Sequence, residues 1–212
     1  MFRKVTGTVA MHFQFSLASP PSVFLRIGNK VVVGLENGSL YENLLGDVLP
    51  FQHQGQVTQL YYNSSKARMI TGDATGQIIV SSGNFATTFT FNLSYHEHTC
   101  EIISIMVHGD SILTSDGCGY IVQYDIMKRT TLDKASHPGR TGNQKVRLSQ
   151  WMDGDFGVSA VENQSSVYLY RISDSKTGDS LDIQLVAIVG TIASLPTLRI
   201  MIKASMPLLV WL

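Results

Sequence analysis

The chain has 212 residues, 44% of them hydrophobic and 15% charged, which is enough apolar material to bury a core and too little charge for a disordered segment. Lysine plus arginine and aspartate plus glutamate number 16 each, so the chain has no net field to gather nucleic acid or an anionic membrane, and neither is expected as a partner.

The first predicted element is the apolar, β-prone run at residues 6–17, ahead of any repeat. After it a strand–turn–strand pattern recurs. Val31-Val-Val-Gly-Leu-Glu-Asn-Gly38-Ser-Leu-Tyr41, Met69-Ile-Thr-Gly-Asp73-Ala-Thr-Gly76-Gln-Ile-Ile-Val80 and Ile112-Leu-Thr-Ser-Asp116-Gly-Cys-Gly119-Tyr-Ile-Val-Gln-Tyr124-Asp125 each join two β-rich runs through a tight turn ending in glycine. A fourth copy, residues 156–170, carries serine where the others have glycine. The spacing is 38 residues from Gly38 to Gly76, 43 from Gly76 to Gly119 and 46 from Gly119 to Ser165, which predicts an array of similar β units. Between these copies, His53 and His98 each stand four residues before a β-branched residue, Val57 and Ile102, that opens another apolar strand. A further strand opens at Val146, behind an insertion at residues 138–144 that lengthens the loop after His137. The approximate units are 18–45, 46–84, 85–127, 128–174 and 175–212, all in one domain.

These residues resemble the WD-repeat β-propeller family, whose repeats run Gly-His, strand, turn, strand, Asp-Gly turn and a strand ending Trp-Asp. Gln52-His53 and Glu97-His98 stand where Gly-His would, and Tyr124-Asp125 is the nearest match to the terminal pair. The resemblance spans about residues 22–172 and implies an all-β propeller of four to five recognisable blades. That is either a small ring or part of a larger, seven-bladed one that needs a partner or a continuation of the chain to finish folding. Asn37, Thr75 and Cys118 occupy the family's turn-aspartate position, while Asp73 and Asp116 lie two residues earlier. The family's buried chain of histidine, hydroxyl, aspartate and tryptophan is therefore expected to be incomplete. Residues 6–17 are the candidate outer strand for closing the last blade, since closure removes sheet edges that would recruit other chains.

Cys100 and Cys118 show neither metal-ligand spacing nor a flanking basic cluster, and are read as reduced packing residues. The N-terminus lacks a secretory pattern, so the expected location is cytoplasmic. The sequons at Asn37, Asn63, Asn92 and Asn163 are accordingly read as turn residues. The uncharged run from Leu185 is interrupted by Pro196, Arg199 and Lys203, too soon to span a bilayer, and is expected to form a buried strand pair.

No catalytic constellation emerges. His96-Glu97-His98 places two imidazoles on one face of a strand, but zinc needs a third protein ligand. No Gly-x-Ser-x-Gly elbow is present, and Gly72-Asp73-Ala-Thr-Gly76 lacks the strand-to-helix setting of a phosphate loop. The expectation is a protein with no catalytic, cofactor-binding or metal-ligating residues. His53, His98, Gly38, Gly76, Gly119, Asp73, Asp116, Tyr124 and Asp125 are assigned as structural positions of the repeat. The resemblance implies a scaffold or adaptor with protein partners, and the Gly-Asp-x-x-Gly turn is similar to turns in trafficking and ciliary-transport propellers. The alternative is a ligand- or glycan-handling propeller with a site in its central channel, where Asp73, Asp116 and His98 are the candidate groups.

Overall fold

A computed structural model describes residues 2–5, 8–11, 17–42, 47–84, 87–108, 111–151, 156–162, 164, 166–174 and 181–189. It is all-β, with no helix among the described residues, and contains four antiparallel four-stranded sheets in chain order. Blade 1 holds β3 (Pro21–Ile27), β4 (Lys30–Leu35), β5 (Leu40–Glu42) and β6 (Asp47–Val48). Blade 2 holds β7 (Val57–Asn63), β8 (Arg68–Asp73), β9 (Ile78–Ser82) and β10 (Thr90–Tyr95). Blade 3 holds β11 (Ile102–His108), β12 (Ser111–Asp116), β13 (Tyr120–Asp125) and β14 (Thr130–Ser136), and blade 4 holds β15 (Val146–Trp151), β16 (Phe156–Val161), β17 (Val167–Asp174) and β18 (Leu181–Val189). The blades are propeller-like, each a simple up-and-down meander.

Alternation along the strands explains why the central strands are apolar without interruption. Successive side chains point to opposite faces, and in blade 2 both faces are covered. Met69 and Ile79 pack toward blade 1 with Ile27, Val32 and Leu40, whereas Ile70, Ile78 and Val80 pack toward blade 3 with Ile105, Ile112 and Val122. The core therefore lies between sheets. Beyond blade 3, Leu113, Ile121 and Met106 meet Tyr170 and Ile172 of blade 4.

The first strands of the blades lie side by side, β3 against β7, β7 against β11 and β11 against β15. Their contact is close enough to select residues. The Ser22 hydroxyl donates to the Val57 carbonyl at 2.6 Å, and Thr58 repeats this one blade later on Ile102 at 2.7 Å. A Cβ on Gly72 would sit 2.7 Å from the Ile102 side chain, so glycine is what the next blade's approach permits.

Three expectations require correction. Thr8–Met11 (β2) pairs with Phe2–Val5 (β1) in a separate hairpin, so this part of the proposed closing strand is paired elsewhere; the rest of 6–17, apart from Leu17, lies outside the described residues. The apolar run from Leu185 does not begin a buried pair. Among the described residues Leu181–Val189 is the last strand of blade 4, paired with Val167–Asp174, and its Leu185, Val186 and Ile188 are about half exposed. Residues 190–212 lie outside the described part. Asn37 and Asn63 do accept turn hydrogen bonds, from Ser39 N–H and from Ser65 and Lys66, but Asn92 sits in β10 where its register with β9 shifts.

Candidate interaction rim and its buried histidine relays

The antiparallel register gathers one set of loops at one rim. Val57 pairs with Asp73 and Ile102 with Asp116, which brings the loop before each blade beside the turn between its second and third strands. Those turns end at Gly38, Gly76 and Gly119, whose φ angles are +83°, +92° and +86°. In this left-handed conformation the Cβ of an L-residue crowds the backbone carbonyl, and at Gly76 a Cβ would also lie 2.6 Å from the His98 carbonyl oxygen.

Two relays lie beneath this rim. In blade 3, the His98 Nδ1–H donates to Asp116 Oδ2 at 2.7 Å, and Nε2 contacts the Thr114 hydroxyl at 2.7 Å. The carboxylate can only accept, so it fixes the Nδ1–H tautomer and leaves Nε2 as acceptor in the neutral ring. Asp116 also accepts from the Tyr120 N–H at 2.9 Å. In blade 2, His53 Nε2 contacts Thr71 Oγ1 at 2.7 Å, but its Nδ1 stands 3.5 Å from Asp73 Oδ2, beyond a directed hydrogen bond. Asp73 is instead held by the N–H groups of Gln77 and Thr75 on Oδ1 and of Gly55 on Oδ2. Burial opposes charge on Asp73, yet the His53 ring and these donors overcome it and hold the carboxyl well below the usual carboxylate range.

The chain is incomplete in both blades, as expected: neither contains a tryptophan, and blade 2 leaves the His53–Asp73 link open, whereas blade 3 does join histidine, hydroxyl and aspartate. The aspartate two residues early sits at the end of the second strand, directly opposite the first residue of the first strand, where it reaches both the histidine and the turn. Thr71 and Thr114 were missed by sequence reasoning, although Thr71-Gly-Asp73 and Thr114-Ser-Asp116 carry the signal as a shared Thr-x-Asp ahead of a turn. His96 is exposed and outside a strand, and it approaches the Gln77 side chain at 3.5 Å, so it does not share a site with the buried His98.

Tyr124 is fully buried, with its ring 4.3 Å from that of Tyr95. Burial pushes its phenol well above the ordinary value, with the Thr114 hydroxyl partly countering. Asp125 works at the opposite rim, where Oδ1 accepts from Met127 N–H and Lys128 N–H at 2.8 Å each.

The two cysteines also require correction. Cys100 and Cys118 form a disulfide, with Cα atoms 5.7 Å apart and a sequence separation of 18. Cys100 lies two residues after His98 and Cys118 two after Asp116, so the bond joins the same loop and turn that the relay joins. Blade 2 places Gly55 and Thr75 at these positions.

The boundary between blades 3 and 4 is built differently. His137 is buried, but its Nε2 contacts Ser115 of the preceding blade at 2.9 Å, and its ring stands edge-on to Tyr170 at 5.6 Å. The relay's aspartate position in blade 4 is Val161, buried opposite Val146. Nδ1 of His137 has no hydrogen-bond partner among the described residues. Burial, helped by the nearby Arg140 charge and opposed by Asp116, pulls the His137 pKa down to about 4.

The fold and rim define a blade-built, propeller-like β protein. Comparison with solved structures agrees on this fold. The chain is similar to the computationally designed Ika4 protein (21% identity over 74% of this chain and 94% of that one, TM-score 0.58). It is also similar to the computationally designed Ika8 protein (21% identity, 71% of this chain and 45% of that one, TM-score 0.56) and to a chain of the Mitotic Checkpoint Complex (9% identity, 79% and 52%, TM-score 0.60). The chain spans about half the length of the latter two. No protein-family model matches the sequence, and no curated protein matches it.

Proposed function

We propose that this chain is a non-catalytic, WD-repeat-like scaffold or adaptor that presents its relay-braced rim to protein partners. The observation that carries the reading is the contrast between the rim's surface and its support. Polar residues such as Gln52, Gln54, Glu97 and Lys145 are exposed there, above buried histidines and aspartates of which His98 and Asp116 are bound to each other and Asp73 to the backbone of its own turn. Groups already satisfied inside the blade are poor catalysts but hold loops rigid, and rigid loops bind with less ordering entropy. One solved structure with a similar fold is a chain of a protein complex, the Mitotic Checkpoint Complex, which is in keeping with this reading. The turn resemblance makes trafficking or ciliary transport the proposed setting.

The proposed location is cytoplasmic; no helix among the described residues is long and apolar enough to cross a membrane. The Cys100–Cys118 disulfide weighs against that location, because lasting disulfides belong to oxidising compartments; a cytoplasmic chain would have to carry the pair reduced in the cell and form the bond only on isolation. Acid-quenched thiol trapping from cells that finds the pair oxidised would overturn the cytoplasmic location. The function itself is tested by affinity purification with quantitative mass spectrometry, alongside a small-molecule and glycan binding screen. Reproducible partners whose capture is lost on substituting rim residues are expected. Glycan binding without such partners would instead favour a central-channel site.

A further inference from the structure

We propose that Tyr120, Lys134 and Arg140 form a recognition site on the rim for the carboxylates of an acidic peptide segment. The inference rests on the protein-interaction reading above and names the chemistry of the partner. Lys134 Nζ lies 4.5 Å from the centroid of the Tyr120 ring, and the Arg140 guanidinium carbon lies 4.7 Å from the same centroid. Two cations over one aromatic ring are each attracted to its π face and repelled by one another. Neither forms an ion pair among the described residues.

Their donors are only partly used. Lys134 gives one N–H to the Glu97 carbonyl at 3.1 Å, and Arg140 gives Nε–H to the Gln144 carbonyl at 3.2 Å. That leaves the terminal nitrogens of Arg140, the fork that matches a carboxylate in two-point contact, and two donors on the lysine. A carboxylate placed there removes the repulsion and takes up the donors. Lys134 is exposed and Tyr120 and Arg140 are half-buried, so the group is open to a partner.

Among the described residues the fold assembles this trio once. Register pairs Val122 with Lys134 and Tyr120 with Ser136, which sets Tyr120 and Lys134 as diagonal neighbours on one face of blade 3. Arg140 arrives from the insertion between blades 3 and 4, where its side chain lies against Gly119. At the position of Tyr120, blade 2 has Gln77 and blade 1 has Ser39. A feature of the repeat itself would recur, and this one does not.

The test is fluorescence anisotropy of fluorescein-labelled hexaglutamate titrated with the full chain, with hexaglutamine as the neutral probe. The chain is expected to bind hexaglutamate and not hexaglutamine, more weakly as salt rises. Lys134→Ala and Arg140→Ala should each weaken binding about tenfold, Tyr120→Leu should weaken it and Tyr120→Phe should not, and Lys134→Glu should abolish it. Lys134→Ala decides the matter, since Lys134 is exposed and, among the described residues, its ammonium donates only to the Glu97 carbonyl. Lys128→Ala removes the same charge at the opposite rim and should change binding less than about twofold.

The proposal is overturned if hexaglutamate binds no better than hexaglutamine, or if Lys128→Ala weakens binding as much as Lys134→Ala. Inorganic phosphate displacing the probe where equimolar acetate does not would also overturn it, as a site for tetrahedral oxyanions. Purified partners retained equally by the wild type and by Lys134→Ala would sink this inference while leaving the scaffold reading intact. Loss of the scaffold reading would instead show as hexaglutamate binding with no cellular partner dependent on the rim.

Discussion

Blade 3 and the junction leading into blade 4 both bury a histidine next to a hydroxyl, yet they treat it in opposite ways. At His98, Asp116 accepts the Nδ1–H hydrogen bond and ties the ring to the following turn, so burial is matched by a partner. At His137 the matching position is Val161, the hydroxyl comes from the blade before, and desolvation is left to act nearly alone. A histidine ahead of a blade's first strand therefore supports two physical states. The acid in the second strand determines whether the histidine braces its own blade or lies as a neutral spacer between two blades.

The comparison breaks most severely at the acid. Asp116→Ala strands the His98 Nδ1–H and the Tyr120 N–H, two buried or half-buried donors at roughly 2 kcal/mol each, so a loss of about 4 kcal/mol is expected from chemical denaturation. A loss under about 1 kcal/mol would mean that the relay is not what holds the turn. Next in size is the covalent brace beside it. Cys118→Ser opens a closed loop of nearly twenty residues and should cost about 3 kcal/mol, with thiols titratable in the wild type only after reduction.

The junction histidine makes the third prediction, and its sign follows from proton binding. The unfolded chain takes up a proton near pH 6.5, the folded His137 only near 4. Between those values the unfolded state binds more protons, so this contribution leaves stability intact above about pH 6.5 and removes up to about 3 kcal/mol by pH 4. His137→Asn should flatten the stability profile in that window. If the slope survives the substitution, another group is titrating.

Smaller effects compare the two relays. His98→Ala should cost about 2 kcal/mol and His53→Ala about 1, because the acid contact is 2.7 Å in one and 3.5 Å in the other. His96→Ala, at an exposed ring, should leave the denaturant midpoint in place; equal losses at all three positions would show that the midpoints report something other than the relays. The smallest change is expected from Tyr124→Phe, less than about 0.5 kcal/mol, since the ring packs on Tyr95 and its hydroxyl makes no well-directed hydrogen bond.

Much of this architecture was legible in the residues because it is local. Alternating apolar residues, turn glycines and the recurring interval of about forty residues dictate strand pairs through period-two geometry and backbone sterics, forces that act within a few residues. The four-stranded blades follow from them. What the turn position concealed was that Asp73 and Asp116 serve the relay from two residues upstream. Which group a carboxylate reaches depends on cross-strand register, and register is a relation between strands.

The remaining features required elements brought together from far apart in the chain. Cys100 and Cys118 looked independent until the meander set their loop against their turn. Lys134 and Arg140 had no evident common purpose before blade 3 and the inserted loop carried both to Tyr120. The apolar stretch at Leu185 reads as buried from its composition, but as the last described strand of blade 4 it keeps Leu185, Val186 and Ile188 about half exposed. The sequence alone determined the β units, their turns and their spacing, since these arise from short-range sterics and hydrophobic alternation. Tertiary structure alone decided which buried groups met a partner, because pairing polar groups depends on distances that only the packed blades define.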